Sequence, residues 1–419
     1  MKKTFFFLLF LFLSNFFLYA KKSISIKEFG VDGVDYKNEY QIDKYNRYLK
    51  IKSAFEYCLA KEFDLFFPRG TYDVGDRNFP FRTKEDLATD KLLDCHGMMI
   101  YGEKGTVFKT HSRNGADVLQ LNKIKNLKIK NVEITADLEG FTMSGSNGIS
   151  ITNGFDNIFL ENIKIYNLPS VDKTSYIDGG KALTLQFSKG SKSYKGLLIA
   201  KNININNCPY GFRMDGADIC DVLDKSVNNI DLFLDLTINN TFQGFSIQFG
   251  SATKNIGSQE KLKINAKALI KNSQQFVRLS RVLGGDFNFR VVKDKSFVKK
   301  KWSKSDSMSF AFLGNYVKNL KMSINGNVGV IQNKIILGAV GSIVEPYNLG
   351  NKTENSYLNI DVQGISLEKD FKIIEYNGDS ISNTTVNLTD RTLDKNIHLK
   401  LGITNKLNVT RKVYQNKSL

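Results

Sequence analysis

Gly211-Phe212-Arg213-Met214-Asp215 is the third of seven related pentapeptides spread along the middle of a 419-residue chain. Before it come Gly148-Ile149-Ser150-Ile151-Thr152 and Ala182-Leu183-Thr184-Leu185-Gln186. After it come Gly244-Phe245-Ser246-Ile247-Gln248, Phe276-Val277-Arg278-Leu279-Ser280, Phe310-Ala311-Phe312-Leu313-Gly314 and Lys334-Ile335-Ile336-Leu337-Gly338. The second and fourth residues are apolar in every copy, and in the first five the third and fifth are mostly polar. That alternation is the period-2 pattern of a strand with one buried face. The copies start 34, 29, 33, 32, 34 and 24 residues apart, a spacing of repeated structural units rather than of separate domains.

A second strand family lies between the copies: Asn126 to Ile134, Asn157 to Ile165, Leu198 to Ile205 and Asn319 to Ile324. Its recurrent asparagines suit sharp corners, because Asn tolerates the left-handed conformation and its amide can bond along a stack of identical turns. Short strand, corner, short strand, with no helical period between, predicts an all-β chain wound as a right-handed parallel β-helix. A β-sandwich would need antiparallel hairpins with Asn-Gly type turns, which are scarce.

Outward from the repeats, Met1 to Ala20 reads as a secretory signal: Lys2 and Lys3, an apolar run from Phe5 to Phe17, then Leu18-Tyr19-Ala20. No later stretch approaches the roughly 20 apolar residues of a membrane span. Residues 21–75 read as an N-terminal cap, 76–405 as the β-helix and 406–419 as a polar, fraying tail. Within the cap, Tyr48, Ile51, Ala54, Phe55, Cys58 and Leu59 fall on one face of a helix.

The stretch Ser23-Ile24-Ser25-Ile26-Lys27-Glu28-Phe29-Gly30, that amphipathic segment, and Leu65-Phe66-Phe67-Pro68-Arg69-Gly70-Thr71-Tyr72-Asp73-Val74 together resemble the N-terminal cap of the pectate-lyase-like superfamily. The resemblance implies a strand ending in a Phe-Gly step, a helix capping the first coil, and a Pro-x-Gly-x-Tyr strand opening that coil. It also implies a fold shared by hydrolases, lyases, epimerases and proteins without catalysis, so the reaction must be argued from the site. The polygalacturonase signatures Asn-Thr-Asp, Asp-Asp, Gly-His-Gly and Arg-Ile-Lys are absent. So are the motifs of calcium-dependent pectate lyases; calcium is conceivable, but no cofactor is expected.

The formal charge of +17 becomes +15 without Lys2 and Lys3, and favours an acidic partner. An acidic polysaccharide fits an exported chain better than nucleic acid does, for which no motif is present. The dispersed His96, His111 and His398 and the absence of CxxC spacing exclude a zinc site of ordinary pattern. Cys208 and Cys220 flank the Arg213 rung, as a brace in disulfide form or as two buried thiols.

Stacked in register, the third positions form one column (Ser150, Thr184, Arg213, Ser246, Arg278) and the fifth positions another (Thr152, Gln186, Asp215, Gln248, Ser280), with rungs ~4.8 Å apart. Amide, hydroxyl, carboxylate and guanidinium groups on one external face make a sugar-binding groove, to which Tyr210, Lys181 and Arg281 are added. Arg213 and Arg278 offer planar forks to a carboxylate or sulfate. In a β-eliminating lyase Arg213 neutralises the uronate, while Tyr210, Lys181 or Arg278 moves the proton. Hydrolysis needs two carboxyl groups, for which Asp215 with Asp218 or Asp221 are the nearest candidates, with Asp178 on the preceding turn.

Two insertions, Val171 to Lys181 (with Lys173, Tyr176, Asp178 and Lys181) and Val291 to Ser307, are expected to overhang the groove, the second carrying Trp302 inside a lysine run. The expected function is an exported, polysaccharide-active protein of the periplasm or exterior, a lyase ahead of a hydrolase, with a C5 epimerase chemically close. The rival is a non-catalytic β-helix that binds an acidic glycan in capsule handling or adhesion. The sequence leaves monomer and trimer open.

Overall fold

The structure, a computed structural model, describes residues 21–35, 41–74, 91–112, 117–138, 145–172, 177–187, 196–216, 230–249, 262–294, 311–331, 335–337, 353–366, 374–376, 381–382, 384–390 and 407–413. Among these, every strand pairing is parallel except the hairpin between Ser170–Asp172 and Ile177–Gly179. The chain is a parallel β-helix, each strand pairing with its counterpart one coil away. No helix among the described residues is long and apolar enough to cross a membrane. The leader-like residues 1–20 lie outside the described residues.

All seven pentapeptides stack in the expected register. Leu183 pairs with Ile149 and Phe212, Phe245 with Phe212 and Val277, Ala311 with Val277 and Ile335. The column extends one rung earlier, at Leu119–Leu121, and one later, at Ile374–Tyr376. Their second and fourth residues fill the core: Ile149, Leu183, Leu185, Phe212, Met214, Phe245, Ile247, Val277 and Leu279 are fully buried. Phe212 stacks on Phe245 at 4.8 Å between ring centroids, so like residues meet like along the axis. Burying each such side chain stabilises the fold by about 2–3 kcal/mol.

Asparagines turn the corners. Asn131, Asn162, Asn202, Asn167, Asn207 and Asn240 all have φ between 52° and 56°, in the left-handed region. Their amides form ladders: Asn162 Nδ2 donates to Asn131 Oδ1 at 3.0 Å, Asn202 to Asn162 at 2.8 Å, Asn207 to Asn167 at 2.7 Å and Asn240 to Asn207 at 3.1 Å. One residue type thus supplies both the backbone conformation and the bond to the next coil.

The cap follows the expected helix face but is longer, running Gln41–Lys61. Ile51, Ala54, Phe55 and Cys58 are buried in the same core cluster as Leu65, Phe67 and Ile100, with Leu59 packed against it. The first strand stops at Ser25, short of the expected Phe29-Gly30 end. Ile26–Phe29 wind into a 3-10 turn because Ser25 and Glu28 form a reciprocal capping box, and Gly30 ends it at φ 69°.

Two further expectations are corrected, and one alternative is resolved. Val291 and Val292 belong to the strand Leu262–Val292, with Val291 in the core, so the second insertion starts later; its lysine run and Trp302 lie outside the described residues. Leu407–Val413, assigned to a fraying tail, pairs in parallel with Thr384–Asp390. Cys208 is a free thiol, fully buried, with Sγ 3.5 Å from Asn206 O, and burial pushes its pKa up to about 12. It points inward and forms no bridge to Cys220, which is outside the described residues.

Residues 31–35 are tied to the coils by four ionisable groups. Lys109 Nζ lies 2.9 Å from Asp35 Oδ2 and 2.7 Å from Asp137 Oδ2; His111 Nε2 lies 2.8 Å from Asp35 Oδ1 and its Nδ1 3.4 Å from Asp137 Oδ2. Burial alone would raise the Asp35 pKa, but hydrogen bonds from Lys109 and His111, and their charges, outweigh it and leave it lowered. A carboxylate with a depressed folded pKa contributes stability above its ordinary range and loses it as pH falls through the folded value.

Two outcomes are expected. Asn162→Ala, which forces alanine into the left-handed region and breaks two ladder bonds, should cost about 2–3 kcal/mol in urea denaturation, and Asn162→Gly less. Asp35→Asn should lower stability at neutral pH, and the two proteins should converge as pH drops below the ordinary carboxylate range, read as denaturation midpoints against pH.

Candidate functional site

Register decides which side chains meet. Gln186 pairs with Thr152 and Asp215, and Gln248 with Asp215 and Ser280; in the neighbouring column Thr184 pairs with Ser150 and Arg213, and Ser246 with Arg213 and Arg278. Because the residues between them are core, both columns face away from the interior on one side of the coil.

At the centre, Arg213 Nε donates to both oxygens of Asp215, at 2.8 and 2.7 Å. Lys181, one coil earlier, places Nζ 3.3 Å from Asp215 Oδ2. The Arg213 guanidinium lies 4.6 Å above the centroid of the Tyr210 ring, which meets Phe242 edge-on at 5.9 Å. Arg213 is thus held at its Nε edge by a carboxylate and on its face by an aromatic ring. Among the described residues its terminal amino groups have no bonded partner. The side chains of Lys181, Arg213 and Asp215 are only 18%, 20% and 23% exposed, so their attraction is less screened than at an open surface.

Two coils on, burial lowers the Arg278 pKa, as does the charge of Arg213, while Tyr210 acts in the opposite sense. Arg213 and Arg278 thus stand two rungs apart in one column, with Ser246 on the rung between.

A third column, at the position before each pentapeptide, was only partly foreseen through Lys181 and Tyr210. Lys181 pairs with Tyr210, Tyr210 with Gln243 and Gln243 with Gln275. Asn147 and Asp117 extend it: Asn147 Nδ2 donates to Asp117 Oδ1 at 2.7 Å, and Lys181 N donates to Asn147 Oδ1 at 3.1 Å. Gln243 Nε2 reaches Gln275 Oε1 at 3.0 Å, and Gln248 Nε2 reaches Gln243 Oε1 at 3.4 Å. Simple alternation would turn this column inward, yet it contacts Asp215 and Gln248. The signal was present in the sequence as a polar residue ahead of each of five copies. Burial raises the Asp117 pKa, against hydrogen bonds from Asn147 and Ser150, the charge of Lys181 and a bond from Gln120.

The columns are more sheltered than an open groove implies. Ser150, Thr184 and Ser246 are fully buried, because longer neighbours fold over the short ones: Gln248 Nε2 donates to Ser246 Oγ at 2.7 Å. Thr152 Oγ1 and Thr184 Oγ1 have no hydrogen-bond partner among the described residues.

Thr184, Gln186, Tyr210, Ser246, Gln248, Ser280 and Lys181 therefore join Arg213, Asp215 and Arg278 on one face. Arg281 sits at a register irregularity between Ser280 and Val282. Asp218 and Trp302 lie outside the described residues. Asp178, in the first insertion, pairs with Val171 in the short hairpin, which packs on the backbone of Gly145. Among the described residues no three His, Cys, Asp or Glu side chains converge to hold a metal.

Stacked coils, an N-terminal cap helix and polar columns beside an apolar core define a parallel β-helix protein with a polar face along its axis. Its sequence matches no family model and no curated protein. In fold it is similar to the Azotobacter vinelandii mannuronan C-5 epimerase AlgE6 A-module, with a TM-score of 0.52 at 12% identity over 93% of this chain and 99% of that one. A PL6 alginate lyase complex with trisaccharide aligns over 87% of this chain and 85% of that chain at 9% identity and a TM-score of 0.37. The first likeness supports the β-helix fold that the cap and the repeats implied.

Removing the shared carboxylate tests the centre of the site. Asp215→Ala should destabilise the protein by roughly 1–3 kcal/mol in urea denaturation, since Arg213 and Lys181 lose a common acceptor while half-shielded. Asp215→Asn, which keeps one acceptor oxygen, should cost less.

Proposed function

We propose that this protein is an exported polysaccharide lyase, cleaving a uronate-containing glycan by β-elimination. The observation that carries the reading is the grouping of Arg213, Tyr210 and Arg278: one guanidinium stacked on a tyrosine, a second within the field of both. β-Elimination requires a neutralised uronate carboxylate, so that the C5 proton becomes acidic, and a group that moves that proton.

Arg213 fills the first role, because Asp215 holds its Nε edge and leaves the terminal amino groups for a carboxylate. Tyr210 fills the second. Tyr210 reacts as the phenolate: it takes the C5 proton, the C4–C5 double bond forms as the bond from C4 to the glycosidic oxygen breaks, and the proton passes from Tyr210 to that leaving oxygen, which restores the phenolate. The charges of Arg213 and Arg278 steady the negative charge on the phenol during transfer. Asp215 acts as a positioning residue for Arg213 and Lys181. That role disfavours hydrolysis, which would need the same carboxyl group as acid or base. Epimerisation begins with the same abstraction and returns the proton to C5. The leader-like Met1 to Ala20 and the basic charge agree with a protein that meets acidic glycans outside the cytoplasm.

The test is incubation with a panel of acidic glycans while absorbance of the unsaturated uronate product is followed. One glycan should give new absorbance, reduced at least about 100-fold in Tyr210→Phe and in Arg213→Ala. Chain shortening without absorbance would establish hydrolysis instead, and tight binding with no product a non-catalytic glycan-binding protein.

A further inference from the structure

The sheet that follows the pentapeptide strands carries an apolar column on its outer face. Asn153, in the left-handed region, turns the chain from Thr152 on the first sheet toward Phe155 on the second. On that second sheet Phe159 pairs with Lys128 and Ile199, Ile199 with Phe233, and Phe233 with Asn265. Their neighbours along the strands, Ile158, Leu160, Leu198, Ala200, Leu232 and Leu234, are buried, so the column points outward. Phe233 is 48% exposed, and Phe159 and Ile199 are half-buried. Three large apolar side chains thus stand on successive rungs, bounded by the polar Lys128 and Asn265, as in a contact surface with no partner in its own chain.

Two residues further along each strand, the same face carries charges that alternate in sign from rung to rung: Lys130, Glu161, Lys201, Asp235, Lys267. Glu161 pairs with Lys130 and Lys201, and Asp235 with Lys267; Lys201 and Asp235 directly follow the paired Ala200 and Leu234. Glu161 is engaged within the chain, by Lys130 at 2.7 Å and more loosely by Lys201 at 3.5 Å. Asp235 and Lys267 are exposed and form no ion pair among the described residues. An alternating row fits a reversed copy of itself only at a half-rung offset. A two-fold axis on the Ile199 rung would set Lys201 against the partner's Lys201, whereas an axis between the rungs of Ile199 and Phe233 sets Lys201 against the partner's Asp235. The same axis lays Ile199 on the partner's Phe233 and turns Glu161 toward the partner's Lys267. Moved one rung earlier, it would lay Phe233 on the partner's Lys128, so apolar and charged columns select one placement.

We propose that this face is the interface of a homodimer, in which two copies pack the second sheet against itself about a two-fold axis that runs along the strands, between the rungs of Ile199 and Phe233. The occupant is a second copy because the exposed charges that lack a partner in the chain are matched by the chain itself, reversed. Coils of the two copies run in opposite directions. The polar face around Arg213 lies on the preceding sheet, round the corner at Asn153, and is left uncovered by the contact. Few rungs take part, so the association is weak, with a Kd on the order of 10–100 µM. The proposal stands independently of the glycan reading.

The experiment is sedimentation velocity of the purified protein over roughly 1–500 µM, with circular dichroism confirming that each variant is folded. The wild type should pass from monomer to dimer across that range. Phe233→Asp, a change at an exposed position, should raise the dimer Kd at least about 10-fold. Lys201→Glu alone should weaken the dimer by about 3-fold or more, and Lys201→Glu combined with Asp235→Lys should recover most of that loss, because the reversed pair again faces its opposite. A wild type that stays monomeric throughout, a trimer, a dimer unmoved by Phe233→Asp, or a double variant no better than Lys201→Glu alone each overturns the proposal.

Discussion

Strict register between coils is the constraint on which the fold and the groove both depend. A strand's side chains alternate between faces, so a slip of one residue between neighbouring coils would send Arg213 into the core and Met214 into the groove. Three devices act against such a slip here. Phe212 and Phe245 stack inside, the asparagine amides bond coil to coil at the corners, and small first residues let the backbones approach. A methyl group on Gly211 would lie 2.4 Å from the carbonyl of Gly244, so bulk at that position is excluded by the adjacent coil.

Given that register, a single carboxylate organises the polar face. Asp215 collects donors from its own rung and from the coil before it, which fixes the direction of Arg213. The Tyr210 ring then supports the guanidinium from below. The Lys181 contact crosses from one coil to the next, while Arg213 with Asp215 and with Tyr210 are contacts within a single rung. Preorganisation of this kind lowers the ordering cost of binding a stiff, hydrated ligand.

Much of this was legible beforehand, for a physical reason: period-2 alternation and corner asparagines are local signals repeated in each coil, so noise averages out. The partners of Arg213 in its column followed directly from alignment of the copies. The third column did not, because the pairing ladder skips Ala182, Gly211 and Gly244, where the alternation that would otherwise point it inward breaks. The 3-10 turn at Ile26–Phe29 was missed because its capping box, Ser25 with Glu28, sits inside a run that also alternates like a strand. Shielding of Ser246 and Thr184 was not legible at all, since it arises from side chains folding over one another. For Cys208 the sequence left a bridge and a buried thiol open, because an even cysteine count is silent about faces; the buried thiol is what the fold adopts.

A coil touches only the coils on either side of it, and the polar face is assembled one rung at a time. Gain or loss of a whole coil would therefore lengthen or shorten that face by one rung, with the contacts at the far end undisturbed. Duplication of such units changes its reach without redesigning a single contact around Asp215.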